Sequence, residues 1–351
     1  MKIALISVAP PFRGGISKHT SILFEKLSKK HSIEIINYSR QYPSMLFPGK
    51  SQFLNINDSR EYSNRLIDSI NPLTWFKTGN FLAVNNYDLI IFRYWNPFFA
   101  PALNVIASII KKKSKKTKLI SLCDNIIPHE VIPFGNFLTK LFFKKMDGHL
   151  VQSSQAEQEL LDLISKPIYE KRNHPLYSIF PEKIEKEKAK CKFNIKSKYV
   201  ILYFGIIRDY KGFDVLLQSF SKIQNKNIYL LAAGECYGSA EKYYDLISEL
   251  KIEDSITWKN EYINDNEVHY YFSAADIIVL PYRSASQSGI IPIAYSYDLP
   301  VIATNVGGLP EVIEDGRSGF IVSLDNPTEL YEKINLALNE KKIYEMNIFI
   351  K

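Results

Sequence analysis

Cysteine is scarce in this chain. Cys123, Cys191 and Cys236 stand far apart in 351 residues. An odd, scattered set like this indicates neither a disulfide framework nor a zinc cluster. Long apolar runs are missing too. The longest, near residues 97–110, falls short of the roughly 20 residues needed to span a bilayer. Residues 3–8 form an apolar segment too brief for the core of a secretory signal, and no cleavage site follows. Internal repeats and low-complexity tracts are also absent. A cytoplasmic chain is expected.

What is present in quantity is apolar sequence and positive charge. A length of 351 residues with 46% hydrophobic content is enough for two domains, each with its own core. The formal net charge of +7 is unevenly spread. Residues 1–175 hold 24 Lys and Arg against 13 Asp and Glu, whereas the remainder holds 20 against 24. A basic half joined to a slightly acidic one suggests that the first half faces an anionic surface.

The chain is organised around residues 202–217, Leu-Tyr-Phe-Gly-Ile-Ile-Arg-Asp-Tyr-Lys-Gly-Phe-Asp-Val-Leu-Leu. An apolar strand over 199–204 breaks at Gly205. After Lys211-Gly212, apolar residues recur at 213, 216, 217 and 220, the spacing of a helix. A strand, a short loop and a helix start make an anion site, because the first N–H groups of a helix point outward without partners. Arg208 and Lys211 lie inside the loop, and Gly212 lets the backbone approach a ligand. A diphosphate would suit it. Taken alone, the stretch fits equally well an ordinary strand-to-helix loop with solvated cations.

A second stretch adds weight. The buried strand Ile277-Ile-Val-Leu runs into Pro281-Tyr-Arg-Ser-Ala-Ser-Gln-Ser-Gly289 and then a helix with Pro292 in its first turn. Residues 300–304 are the next strand, followed by Gly307-Gly308, Leu309-Pro310-Glu311 and an expected short helix. Two glycine-bearing loops thus reach one edge of a sheet, the edge where open parallel sheets bind ligands.

Phe204-Gly-Ile-Ile-Arg-Asp-Tyr-Lys-Gly212, Leu280-Pro-Tyr with Gln287-Ser-Gly289, and Pro300-Val-Ile-Ala-Thr-Asn-Val-Gly-Gly-Leu-Pro-Glu311 occur in order. Together they resemble the nucleotide-sugar half of the retaining glycosyltransferases of family 4. The resemblance implies an α/β chain of GT-B fold, two Rossmann-like domains facing each other across a cleft. It divides the chain into an acceptor-side domain, 1–177, and a nucleotide-sugar domain, 178–351. The chain departs from the usual pattern at three places. Ile206 stands where the family places an Arg, which here comes at 208. Ala285 and Ile293 stand at the two positions of the usual glutamate pair. It looks like the subgroup in which a Ser-Gln-Ser-Gly loop replaces the first glutamate.

Roles carried over from the resemblance are expectations. Arg208, Lys211 and His129 are the catalytic candidates. Gly14, Gly15, Gly205, Gly212, Gln287, Ser288, Gly289, Ile290, Glu261, Tyr262 and Glu311 are the donor-binding candidates. A turn reading for either N-terminal glycine, a structural role for His129 and a helix-start role for Glu311 remain open. The family often has a His directly after the strand at 118–123. Asp124 and Asn125 stand there instead and become acceptor-side candidates. The aromatic, irregular stretch 41–58 lies where acceptors dock in the fold. The chain ends at Lys351, before the crossover helix that relatives carry, and is expected to lack it.

No Asp-x-Asp pair occurs, so neither a metal nor another cofactor is expected. The charge growing on a leaving nucleoside diphosphate would be met by Arg208, Lys211 and helix N-termini. Without carboxylates at 285 and 293, a covalent glutamate intermediate has no nucleophile. Front-face attack with retention is the expected course. The expected function is hexose transfer from a nucleotide-diphosphate sugar to a glycan or lipid-linked acceptor in cell-surface polysaccharide synthesis. A catalytically silent nucleotide-sugar-binding partner subunit is the alternative.

Two stretches point to an anionic membrane surface as partner. Lys111-Lys-Lys-Ser-Lys-Lys-Thr-Lys118 ends one helix, and Phe137-Leu-Thr-Lys-Leu-Phe-Phe-Lys-Lys145 mixes lysines with apolar residues at helical spacing. The same lysines also suit a solvated helix C-terminus. Nucleic acid is not an expected partner, because no recognised reading module occurs.

Overall fold

The computed structural model describes residues 1–47, 49–54, 63–127, 133–172 and 180–351. The chain divides into two compact units, Met1–Asn173 and His174–Lys351.

The first unit opens with β1 (Lys2–Ile6), α1 (Gly15–Ser28), β2 (Ser32–Arg40), β3 (Ser63–Asp68), α2 (Pro72–Val84) and β4 (Leu89–Tyr94). It continues with α3 (Ala100–Lys113), β5 (Lys118–Cys123), α4 (Gly135–Phe143), β6 (Gly148–Val151), α5 (Ser154–Leu163) and β7 (Tyr169–Lys171). The sheet order is β3-β2-β1-β4-β5-β6-β7, with all pairs parallel. The period of two along β1 decides which side each residue serves. Ala4 and Ile6 join Leu103, Ile106 and Ile110 in one core. Ile3 and Leu5 join Leu23 and Leu27 of α1 on the other face.

The second unit repeats the plan. It holds α6 (Lys186–Lys192), β8 (Tyr199–Phe204), α7 (Phe213–Phe220), β9 (Ile228–Ala233), α8 (Glu241–Glu249), β10 (Ile256–Lys259) and α9 (Asp265–Ala274). Then come β11 (Ile277–Leu280), α10 (Ile290–Ser296), β12 (Val301–Thr304), β13 (Gly319–Val322), α11 (Pro327–Ala337) and α12 (Glu340–Ile350). The order is β10-β9-β8-β11-β12-β13, again all parallel. β8, β11 and β12 are buried on both faces, which is why their sequences are continuous apolar runs rather than alternating ones.

In both sheets the winding reverses beside the first strand, between β1 and β4 and between β8 and β11. Loops leaving the carboxyl ends of these strands line the crevice where such folds take ligands.

One expected element is missing. Residues 307–312 form turns, and no helix opens at Glu311. Local side chains capture the backbone there: Glu314 N–H donates to Ser318 Oγ at 2.9 Å and Ile321 N–H to Asp315 Oδ1 at 2.9 Å. Such bonds compete with a helix ladder. Of the irregular stretch 41–58, the described part holds a 3₁₀ turn at Ser44–Leu46 and a bridge between Phe12 and Phe53.

Candidate functional site

The site in the second unit is built from the loops after β8 and β11. Gly205 ends β8 with φ +110°, and its N–H still donates to Ala233 O at 2.9 Å. The chain is then tacked down at Ile207, a fully buried side chain whose N–H donates to Glu235 O at 2.9 Å. Asp209–Lys211 make a 3₁₀ turn that ends at Gly212, φ +64°. A Cβ at 212 would lie 1.9 Å from the Pro281 carbonyl oxygen, so only glycine permits this approach of one loop to the other. The next residue starts α7.

This turn presents Lys211. Its Nζ lies 3.4 Å from the Tyr282 hydroxyl, and among the described residues no carboxylate pairs with it. Burial of the ammonium pushes its pKa down, and the positive charge of Arg208 adds to the effect. A cation held this way is short of negative charge. Arg208 itself is half-buried, with its guanidinium carbon 5.3 Å from the Tyr237 ring centroid.

From the other loop, Tyr282 is buried, and burial raises its pKa to about 12, an effect that a hydrogen bond with Ser288 moderates. Tyr282 therefore links Lys211 to the Ser-Gln-Ser-Gly segment. Ser288 Oγ accepts from Ile290 N–H at 3.3 Å at the start of α10, and the Ile290 side chain reaches Gly205, 3.6 Å from where a Cβ would stand. Gln287, Ser288 and Gly289 are half-buried in the same loop. The loop is braced from β12 and beyond: Thr304 Oγ1 donates to the Tyr282 carbonyl, and Gly308 N–H donates to Ser286 O at 3.1 Å.

The structure thus brings together Gly205, Arg208, Lys211, Gly212, Ser288 and Ile290. Ala285 and Ile293, at the positions of the usual glutamates, are buried apolar residues. Glu261 and Tyr262 follow β10. Glu261 is exposed and paired with Lys259 at 2.9 Å, and Tyr262 is half-buried. Glu311 is exposed in its turn.

In the first unit, Gly14 caps α1 with φ +113°, and a Cβ on Gly14 or Gly15 would meet nothing within 4 Å. That leaves an open approach to the loop after β1. Asp124 is buried, and both its oxygens are taken by Arg93, as Nε and Nη2 each donate at 2.6 Å. Asn125 is half-buried beside it. His129 lies outside the described residues. Arg93 and Arg283 have no role in the reading of the sequence, and Tyr282 enters it only inside the Leu280-Pro-Tyr motif. Pro281-Tyr-Arg between a buried strand and a glycine loop is the signal that could have flagged the last two.

The chain, with its two parallel α/β sheets, has the fold of solved GT-B glycosyltransferases. Anabaena HepE, solved in complex with UDP, superimposes with a TM-score of 0.75 at 14% identity, over all of this chain and 93% of that one. Residues 185–348, most of the second unit, match the family model of Glycosyl transferases group 1. The glycosyltransferase MJ1178 of Methanocaldococcus jannaschii is 23% identical over 98% of this chain and 90% of its own length. A glycosyltransferase of Haemophilus influenzae is 28% identical over 149 residues, which span 41% of this chain and 40% of that protein. Among the described residues no helix is long and apolar enough to cross a membrane.

Proposed function

We propose that the protein is a retaining hexosyltransferase of the family 4 type. It would move a hexose from a nucleotide-diphosphate sugar, without a metal, onto a glycan or lipid-linked acceptor in cell-surface polysaccharide synthesis. The observation that carries this reading is the half-buried Lys211, whose ammonium has no carboxylate partner among the described residues, beside Arg208 in a loop at the switch point of the sheet. Such a pair supplies preorganised positive charge where a leaving diphosphate gains negative charge. The neighbour HepE has been solved with UDP-glucose, a donor of this class.

The apolar 285 and 293 positions leave no carboxylate in this loop to form a glycosyl ester. Front-face attack, with the departing phosphate oxygen taking the acceptor proton, fits the residues present. The same apolar positions support the second reading, a silent nucleotide-sugar-binding subunit.

Membrane association of the first unit belongs to the same proposal. α4 buries Thr139, Phe142 and Phe143 but exposes Phe137, Lys140 and Leu141, with Phe134 exposed at its N-cap and Lys144 at its C-cap. An ion pair of Lys111 with Asp147, 2.6 Å, sets the lysine run at the end of α3 beside the end of α4. Apolar rings flanked by lysines suit an anionic lipid interface.

The test is to incubate the protein with UDP- and GDP-sugars, with and without membrane extract, and measure released UDP or GDP. Release that depends on acceptor supports transfer. Binding without release supports the silent subunit. Absence of both rejects the reading.

A further inference from the structure

The turn that carries Lys211 is held by a residue that no role above includes. Arg283 stands on the loop after β11, and its own N–H donates to Tyr210 O at 2.6 Å. Its guanidinium Nη1 donates to the Asp209 carbonyl at 2.8 Å and to Asp214 Oδ1 at 2.9 Å, while Nη2 reaches Asp214 Oδ2 at 2.7 Å. Nε donates to Asp325 Oδ1 at 2.7 Å. Asp214 lies in the first turn of α7, so one guanidinium holds a backbone carbonyl before Lys211 and a side-chain carboxylate just after Gly212. Asp209 is held in turn by Lys242. Asp209, Asp214, Lys242 and Arg283, with Tyr243 and Leu246, line a hollow of about 310 Å³.

A lone half-exposed ion pair adds little to stability, whereas a bidentate pair inside a charge network adds more. The geometry says more. A bidentate guanidinium–carboxylate pair fixes a plane as well as a distance, which a lysine in the same place does not. Here that plane is set against the turn whose lysine pairs with no carboxylate among the described residues. Groups that act on developing charge need to be held to about half an ångström, and supporting contacts of this kind do the holding.

We propose that Arg283 is a positioning residue for donor chemistry: it locks the Asp209–Gly212 turn so that the Lys211 ammonium stands where the leaving diphosphate gains charge. This rests on the donor-binding reading above.

The experiment compares wild type, Lys211→Ala, Arg283→Gln, Arg283→Lys and Asp214→Asn by donor turnover, melting curves and amide hydrogen exchange over residues 208–214. Arg283→Gln should lower kcat by about ten- to a hundredfold, the scale of an ångström of misplacement. KM for the donor should move less than kcat, and the loss of kcat should exceed any loss of folded fraction read from the melting curve. Lys211 and Gly212 amides should exchange faster. Arg283→Lys should recover part of the loss, and Asp214→Asn should reproduce it. A normal kcat in Arg283→Gln, or equal losses in Arg283→Gln and Arg283→Lys that track the folded fraction, overturns the inference. If Lys211→Ala is impaired while Arg283→Gln is normal, only this inference fails. If wild type neither binds nor turns over any nucleotide sugar, the proposed function falls and the inference with it.

Discussion

Arg93 and Asp124 form a bidentate ion pair inside the first unit, with side-chain exposures of 1% and 8%. The remaining Arg93 nitrogen, Nη1, donates to Ile16 O at 3.3 Å and Thr20 Oγ1 at 3.4 Å. The pair therefore ties the ends of β4 and β5 to the first turns of α1, directly behind the Gly14-Gly15 loop. Breaking a buried pair leaves a charge without compensation and costs about 3–5 kcal/mol. Arg93→Ala should lose stability on that scale in a denaturant titration. Arg93→Met combined with Asp124→Leu should recover most of it, since no charge is then left buried. A loss below about 1 kcal/mol for Arg93→Ala would mean that water already reaches the pair.

Gly212 and Gly15 should separate fit from function. Gly212→Ala puts a methyl group 1.9 Å from the Pro281 oxygen at a φ of +64°. The left-handed conformation alone costs roughly 1–2 kcal/mol for a residue with a Cβ, and the clash adds to it, so Tm should fall clearly. Gly15→Ala meets nothing within 4 Å and should melt as wild type does. If the loop after β1 approaches the donor closely, Gly15→Ala will still weaken donor turnover. Unchanged turnover removes Gly15 from the site.

His149 makes stability sensitive to acid. Its Nδ1 lies 2.7 Å from Ser121 Oγ, and burial lowers its pKa from 6.5 to about 4. The unfolded chain then binds more protons than the folded one between these values. The share of stability that depends on neutral His149 should be full above pH 6.5, fall as pH drops toward 4, and level off below. The full span is about 3 kcal/mol, at 1.36 kcal/mol per unit. His149→Gln should flatten the Tm profile between pH 4.5 and 6.5. A profile identical to that of wild type would place the acid sensitivity elsewhere.

How much of this was legible depends on whether a feature is local. Residues 199–204 and 277–280 read as strands because buried parallel strands are continuous apolar runs, and the loops after them carried Gly205, Lys211, Gly212 and Ser288 to one place. Ser-Asn-Arg-Leu-Ile-Asp, β3, carries too little apolar sequence to be read that way. The turn at Glu311 misled because the side chains that replace the helix, Asp315 and Ser318, lie several residues further on. The Arg93 and Arg283 contacts join residues 31 and 69 positions apart, and no spacing rule reaches that far.

The surface of α4 should bind anionic lipid. Phe137→Ser with Lys140→Glu and Lys144→Glu changes only exposed positions, so Tm should hold within a degree or two. Vesicle affinity, read by co-sedimentation with phosphatidylglycerol vesicles, should drop about thirtyfold or more, at about 1 kcal/mol for each of the two lysines near the surface. Equal sedimentation of both proteins would assign the lysines to solvent.

The central claim is that Lys211 meets the charge of a donor diphosphate. Its lowered pKa also gives a sign for stability: the unfolded chain holds that proton to higher pH, so removing the charge should not destabilise the fold. The decisive measurement is release of UDP or GDP from the preferred nucleotide sugar by wild type and Lys211→Ala, with a melting curve for each. Loss of one charge-assisted contact to the leaving group predicts a fall of about a hundred- to a thousandfold, roughly 2.7–4 kcal/mol, at unchanged Tm. Near-normal release by a well-folded Lys211→Ala would contradict the account.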